Sequence, residues 1–258
     1  MKVKLCGIRN EEDVEIAVSA GADAIGFLIG QVHPSPDFIL VSTAVRLAKT
    51  LPPFITPVIV THIKSVEEII EMVSRTGIRT VQLYGKNSIE ELEELREKLP
   101  VGSKLIYATH IIDDNIEDGL EDKLPFIDAL IIDSFSKDDG RVGGTGKTHN
   151  WSISAKIVEK FDIPVILAGG LKIDNVEIAI KTVQPYGVDA NSSLKNIEGF
   201  RDLEKCKKFV ERVRSVGSIG SVGSIGSVGS VGSVGSIGLI RSIGSIIGYL
   251  MLNFIKLI

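Results

Sequence analysis

The sequence predicts a single (β/α)8 barrel followed by a low-complexity tail. Eight short apolar, β-branched runs alternate with charged amphipathic segments, roughly once every 25 residues. A chain of 258 residues with 44% hydrophobic content can bury a large core in one domain. No glycine-rich dinucleotide fingerprint follows the first strand, so the alternative of an open, doubly wound sheet is less favoured.

The predicted strands are short and rich in branched apolar side chains, which pack well on a pleated surface. In chain order they cover residues 2–6, 24–28, 56–60, 80–83, 104–107, 129–132, 165–167 and 187–188.

The predicted helices are charged, and several begin with a serine or an aspartate suited to capping the first turn. They cover residues 11–19, 42–49, 65–75, 88–98, 152–160, 174–182 and 200–213. Ser88 and Glu91 have the spacing of a capping box. The connection 111–126 is the least regular and holds the least defined helix, the fifth.

Composition narrows the classes of function. A net charge of −4 gives no global field that favours nucleic acid. The two cysteines, Cys6 and Cys206, are too few for a disulfide scaffold and indicate a reducing compartment. The N-terminus lacks the basic and apolar pattern of a signal peptide, so we expect a cytoplasmic protein.

In such barrels the active site lies at the C-terminal ends of the strands and in the loops that follow them. This end of the predicted barrel is rich in polar residues and glycine. The positions are Cys6, the loop 31–38, His62, Gln82, His110, Asp133, the loop 141–149, Gly169, Gly170 and residues 189–193.

Lys4 and Cys6 project from the same face of the first strand, since side chains alternate along a strand. An ammonium beside a thiol favours the thiolate, which is the reactive form. The alternative is that Cys6 is a small buried residue at a strand end.

Two loops predict a phosphate site. Gly169 and Gly170 follow the seventh strand, and glycines let backbone N–H groups approach an anion closely. Asn191, Ser192 and Ser193 follow the eighth strand, with polar groups at the start of a short helix. Loops seven and eight commonly hold the phosphate in phosphate-binding barrels.

Seven short motifs, in order, resemble phosphoribosylanthranilate isomerase, an enzyme of tryptophan biosynthesis. The resemblance covers about residues 2–213. The motifs are KLCGI (4–8), GF (26–27), VQLYG (81–85), IDS (132–134), GGTGKT (143–148), LAGGL (167–171) and VDANS (188–192).

The resemblance implies an Amadori rearrangement that needs neither metal nor organic cofactor. An acid opens the ribose ring to an iminium, and a base removes the proton from C2′. Asp133 matches the general acid of the family, and Cys6 matches its general base. The expected substrate- and phosphate-binding residues are Gly169, Gly170, Asn191, Ser192, Ser193, Gln82, Arg141 and Asp189.

The chain departs from the family pattern at the expected anthranilate end. Asp37 lies where many members have an arginine that is expected to hold this group. An aspartate there would repel the carboxylate by about 1–4 kcal/mol. After the eighth strand, Ser193 replaces a glycine and Lys195 replaces an expected acid. Arg141 is a candidate to supply the missing positive charge from another loop.

All four histidines fall in loops of the predicted catalytic face. His33, His62, His110 and His149 are therefore candidate ligands of a metal such as zinc. The simpler interpretation is that they are hydrogen-bonded or solvated residues, and we expect no metal.

The last part of the chain follows another plan, so we divide the chain into a barrel (1–214), a triplet repeat (215–238) and an apolar segment (239–258). Residues 215–238 are Ser-(Val/Ile)-Gly triplets without proline, which argues against a collagen helix. We interpret them as a disordered appendage of the kind that a tandem DNA repeat read past a stop would encode. Arg241, Asn253 and Lys256 weaken the alternative of a membrane helix in the apolar segment.

Two other functions stay open. One is a paralogue on the same barrel that isomerises another phosphorylated sugar, with a metal bound by the histidines. The other is a barrel that binds a phosphorylated ligand without catalysis. In each case we expect a small phosphorylated ligand, no nucleic acid partner, no membrane association, and a monomer or homodimer.

Overall fold

The computed structural model describes residues 1–111, 115–134 and 148–219, and these residues confirm the predicted barrel. Eight parallel strands close in sequence order, with β1 paired to both β2 and β8. The strands are β1 (Lys2–Cys6), β2 (Ala24–Leu28), β3 (Thr56–Thr61), β4 (Thr80–Leu83), β5 (Lys104–Ile111), β6 (Ala129–Ser134), β7 (Val165–Leu167) and β8 (Gly187–Ala190).

Each strand is followed by a helix that packs on the outside of the barrel, as the alternating sequence pattern predicts. The helices are α1 (Glu11–Ser19), α2 (Val41–Ala48), α3 (Val66–Thr76), α4 (Ile89–Lys98), α5 (Leu120–Lys123), α6 (Trp151–Lys160), α7 (Val176–Val183) and α8 (Leu203–Ile219). Two short 3-10 helices cover Leu124–Phe126 and Ser192–Leu194.

The strand alternation divides the apolar side chains into two layers. Val3 and Leu5 of β1 belong to the large cluster that also contains buried residues of the helices. Cys6 belongs to a smaller cluster with residues such as Val58 and Ile131 of neighbouring strands. The side chains of the second layer fill the barrel interior and form the floor of its C-terminal end.

Capping explains several helix starts. The side chain of Asn10 accepts a hydrogen bond from the backbone N–H of Asp13 at 2.8 Å. Ser88 and Glu91 form the predicted capping box, in which each side chain bonds the backbone N–H of the other residue. These bonds satisfy N–H groups that have no partner inside the helix.

Two of the helices, the fifth and the eighth, differ from the expectation. The connection after β5 contains only the single turn of α5, preceded by Gly119 at a positive φ of 71°. The last helix runs through Ile219, past the predicted end at Val213, and Val216 packs against the core. Among the helices that the structure describes, none has the length and apolar character needed to cross a membrane.

Candidate active site

A cavity of about 680 Å³ opens where the C-terminal ends of the strands meet. Residues that follow β1, β2, β3, β4, β6, β7 and β8 line it, so the parallel barrel brings distant parts of the chain together. Cys6 and Asp133, from strands on different sides of the barrel, both line this cavity. A molecule bound there can therefore contact both side chains.

Cys6 lies at the end of β1 in a tightly packed position. Gly26 is its neighbour on β2, and a Cβ atom added to Gly26 would lie 2.7 Å from the Cys6 Sγ. Arg201 donates hydrogen bonds to the carbonyl oxygens of Cys6 and Gly7. Glycine at position 26 thus makes room for the thiol, and Arg201 holds the backbone that carries it.

Burial raises the pKa of Cys6 to about 11, although the ammonium of Lys4 lowers it in part. Lys4 therefore acts in the direction that favours the thiolate, but burial outweighs it in the unliganded protein. Lys4 is itself paired with Asp189 at 2.8 Å, and the carboxylate of Asp189 also raises the pKa of the thiol. The sequence showed the neighbouring ammonium but could not show its partner on β8.

Asp133 has the properties expected of an acid. Burial raises its pKa to about 6, and two hydrogen bonds limit the rise. Tyr84 donates its hydroxyl to Asp133 Oδ2 at 2.8 Å, and the backbone N–H of Ser134 donates to Oδ1 at 2.7 Å. Burial and the adjacent carboxylate raise the pKa of Tyr84 well above its usual value, so Tyr84 remains a donor.

The predicted phosphate loops lie together at the cavity. Gly169 and Gly170 have positive φ angles of 83° and 64°, and a Cβ at Gly169 would lie 2.6 Å from the backbone N of Ser134. Ser192 lines the cavity at the start of a 3-10 helix, and Ser193 ties its loop to the seventh by donating to the carbonyl of Leu171 at 2.6 Å. These loops leave room for an anion beside their backbones.

The two departures at positions 37 and 195 are one feature in the structure, since Lys195 forms an ion pair with Asp37. Asn191 donates a further hydrogen bond to Asp37 at 2.8 Å, and the Nε of Arg9 lies 3.8 Å from the same carboxylate. Asp37 is therefore buried with a positive partner, and the repulsion predicted for an isolated aspartate does not apply.

One predicted binding residue, Gln82, is not brought to this cavity, and another, Arg141, lies outside the described residues. Gln82 is fully buried on the inward face of β4 and does not line the cavity. Tyr84, two positions further along that face, reaches the cavity instead. Arg141 lies outside the described residues, as do residues 143–147 of the GGTGKT motif.

Three of the histidines and Tyr84 form a row of rings, and the fourth histidine, His149, contacts Ser154 instead. The ring of His62 lies 6.0 Å from that of His33 and 5.3 Å from that of Tyr84, which in turn lies 5.7 Å from His110. Burial lowers the pKa of His110 and of His149 to about 4, so both are neutral at pH 7. Within the described ranges, no group of three or more His, Cys, Asp or Glu side chains is placed to hold a metal ion.

Three residues of the site were missed by the sequence prediction. Tyr84 could have been found, since it directly follows β4 and lies two positions after Gln82, on the same side of the extended chain. The sequence carried no such signal for Arg9 and Arg201. Arg9 lies in the loop after β1 and Arg201 in the segment before α8, and only the folded chain defines the paths of these segments.

Residues 3–212 match the family model of N-(5′-phosphoribosyl)anthranilate (PRA) isomerase. N-(5′-phosphoribosyl)anthranilate isomerase 2 of Methanosarcina mazei is 41% identical over 215 residues, which cover 83% of this chain and 95% of that protein. The N-(5′-phosphoribosyl)anthranilate isomerase of Methanocaldococcus jannaschii is 34% identical, with 83% and 97% covered.

Solved structures agree with these relatives. The phosphoribosyl anthranilate isomerase of Thermus thermophilus superposes with a TM-score of 0.70 at 27% identity, covering 84% of this chain and all of that one. A second solved phosphoribosyl anthranilate isomerase, with a TM-score of 0.68 at 28% identity, is in complex with reduced 1-(o-carboxyphenylamino)-1-deoxyribulose 5-phosphate. It covers 83% of this chain and 99% of that one.

Proposed function

Because this chain belongs to the N-(5′-phosphoribosyl)anthranilate isomerase family, we propose that Cys6 and Asp133 are the base and the acid of its reaction. The protein is an aldose-ketose isomerase of tryptophan biosynthesis. It converts N-(5′-phosphoribosyl)anthranilate to 1-(2-carboxyphenylamino)-1-deoxyribulose 5-phosphate, so its ligand is a small phosphorylated molecule.

The acid step opens the ribose ring. Asp133 protonates the ring oxygen, the C1′–O bond breaks, and the nitrogen lone pair forms the C1′=N bond of an iminium. The raised pKa of about 6 supports this role, because a carboxyl group with an ordinary pKa would hold its proton far less often near neutral pH. Tyr84 orients the carboxyl group through its hydrogen bond.

The base step moves the second proton. Cys6 removes the proton from C2′, the C–H electrons form the C1′=C2′ bond, and the electrons of the iminium return to nitrogen. The resulting enolamine tautomerises to the ketone. The pKa of Cys6 is about 11 in the unliganded protein, so the working thiolate arises when the proton of Cys6 moves to the carboxylate of Asp133, which then holds the proton that it donates. The ammonium of Lys4 lies beside the thiolate and favours it.

Phosphate binding by the loops after β7 and β8 completes the proposal. Gly169, Gly170 and Ser192 would hold the phosphate through their backbones, while Ser193 fixes one loop against the other. Asp189 acts through Lys4, and Asn191 acts through Asp37. Gln82 does not line the cavity, so it would act on the site only indirectly. For Arg141, substrate binding stays a prediction.

The observation that carries the proposal is the presence of Cys6 and Asp133 on one cavity, although they come from the first and the sixth strands. The test is growth without tryptophan of cells lacking this isomerase, with the full chain and its variants. We expect growth with the parent, and no growth with Cys6→Ala or Asp133→Asn. Cys206→Ala is the matched control, because Cys206 is a buried residue of α8 that does not line the cavity, and it should support growth.

Two results would contradict the proposal: no growth with a well-folded parent, or growth with both site variants.

The proposal also includes the oligomeric state, which we expect to be a monomer or a homodimer. A relative from Thermotoga maritima is described as a dimeric phosphoribosylanthranilate isomerase. Sedimentation equilibrium of the full chain measures this state directly.

A further inference from the structure

Five charged side chains form a cluster at the edge of the cavity where the loops after β1, β2 and β8 meet. They are Arg9, Asp13, Asp37, Lys195 and Arg201, which we call the rim cluster. Three of them are cations and two are anions, so the cluster carries one positive charge in excess. The two other charged rim residues, Lys172 and Glu198, are exposed and of opposite sign.

Arg9 is held in place by groups that leave one of its donors free. Its Nε lies 3.2 Å from Asp13 Oδ2, its backbone N–H donates to the same oxygen at 3.0 Å, and its guanidinium lies 5.6 Å from the centre of the Phe200 ring. Its Nη2 atom is buried and has no hydrogen-bond partner among the described residues. A buried, unpaired guanidinium N–H is costly, and an anion in the cavity would satisfy it.

Lys195 has a different task, because its ammonium is already paired with Asp37. Without Lys195, the carboxylate of Asp37 would face Arg9 and any anion beside it. With Lys195 and Asn191 as partners, Asp37 has its charge matched and can orient Arg9 from 3.8 Å. Arg9 and Lys195 are the two cations of the rim cluster that line the cavity, and of these two Arg9 keeps a donor without a partner among the described residues.

We propose that Arg9 binds the aromatic carboxylate of the substrate, and that Lys195 makes this possible by neutralising Asp37. Arginine suits the task because its planar fork matches the two oxygens of a carboxylate. This inference rests on the proposed function, since it assumes a substrate with both a phosphate and an aromatic carboxylate. The proposal places recognition of the anthranilate end on the loop after β1. The loop after β2 does not supply this cation, because position 37 is an aspartate.

The test compares two ligands that differ only in this carboxylate. One probe is reduced 1-(o-carboxyphenylamino)-1-deoxyribulose 5-phosphate, and the other is the same compound with a plain phenylamino group. Calorimetry gives both dissociation constants for the full-length parent and its variants. Arg9→Met should weaken binding of the carboxylated probe by roughly 10- to 100-fold and leave the phenylamino probe within about twofold. Arg9→Lys should keep part of the preference.

Variants of Lys195 distinguish neutralisation of the Asp37 charge from direct contact with the substrate carboxylate. Lys195→Met should also weaken the carboxylated probe, and adding Asp37→Asn to Lys195→Met should restore most of the affinity. Adding Asp37→Asn to Arg9→Met should restore nothing. Arg75→Met is the matched control, because Arg75 pairs with Glu71 on the exposed face of α3, and it should change neither constant.

The inference fails if Arg9→Met weakens both probes equally, or if it leaves the preference for the carboxylated probe unchanged. Isomerase activity of the parent is measured in the same preparations. A parent without activity would refute the proposed function, whereas an active parent whose preference is insensitive to Arg9→Met would refute this inference alone.

Discussion

Replacing Asp133 with asparagine should slow catalysis strongly and stabilise the fold in a pH-dependent way. The pKa of the Asp133 carboxyl is about 6 in the folded protein, against an ordinary value of 3.8, and burial is the main cause. Above pH 6 the folded protein must hold a buried carboxylate that the unfolded chain solvates freely. Below pH 3.8 both states hold the neutral acid, and the penalty vanishes.

The size of the effect follows from the pKa difference. The buried carboxylate lowers the unfolding free energy by about 3 kcal/mol at pH 8 and by roughly half as much at pH 5. Asparagine has nearly the same shape and no charge, so Asp133→Asn should gain most of this energy. It should also lower the isomerisation rate by roughly 100- to 10,000-fold, the usual contribution of a general acid.

The assay is urea unfolding of parent and variant at pH 8 and pH 5, with the turnover of each measured beside it. The difference between the two proteins cancels all other titrating groups. Asp23→Asn is a control of opposite sign, because hydrogen bonds from Lys2, Val3 and Arg214 outweigh burial and lower the pKa of Asp23. It should destabilise the protein at pH 8. The reasoning from burial is refuted if Asp133→Asn does not raise the free energy of unfolding at pH 8, or raises it equally at both pH values. The acid role is refuted if the variant retains full activity.

Three further predictions concern the same site. The pH profile of kcat/KM should be flat between about pH 6 and 11 and fall on both sides. The reactive form, with Asp133 protonated and Cys6 ionised, carries as many protons as the resting form, with Asp133 ionised and Cys6 protonated, so the ratio of the two forms does not change with pH in this range. A rate that climbs steadily from pH 7 to 10 would contradict this. Tyr84→Phe removes a hydrogen bond that favours the Asp133 carboxylate, so the acid limb should move up by roughly one pH unit; an unchanged limb would show that Tyr84 does not tune the acid. Gly26→Ala should displace the Cys6 thiol, which lies 2.7 Å from the added Cβ, and cost about 1–3 kcal/mol of stability along with most of the activity; full activity in the purified variant would show that the thiol position is not critical.

Much of the fold followed from local signals. Short apolar runs predicted the strands, and in β1 the side-chain alternation also predicted that Lys4 and Cys6 share one face, because the two faces of a strand differ by one position. The serine and glutamate of the α4 capping box marked a helix start that depends only on neighbouring residues. The segment before β6 carried no such periodicity, and there the structure has one helical turn where a longer helix was conceivable.

The site divides along the same line. Cys6, Asp133 and the glycines after β7 were predicted because motif and strand position identify them without knowledge of distance. The protonation of Cys6 was not, since it depends on burial and on the pairing of Lys4 with Asp189, whose partner lies far along the chain. The same holds for Asp37 and Lys195, which seemed two separate losses in the sequence and form one ion pair in the barrel.

The sequence by itself determined which residue types lie at the end of each strand, because side-chain alternation and chain order are local properties. Tertiary structure alone decided which of those groups meet, how dry their surroundings are, and which charges cancel. Electrostatic free energies depend on distance and on burial, and both arise only when the barrel closes and brings β8 against β1.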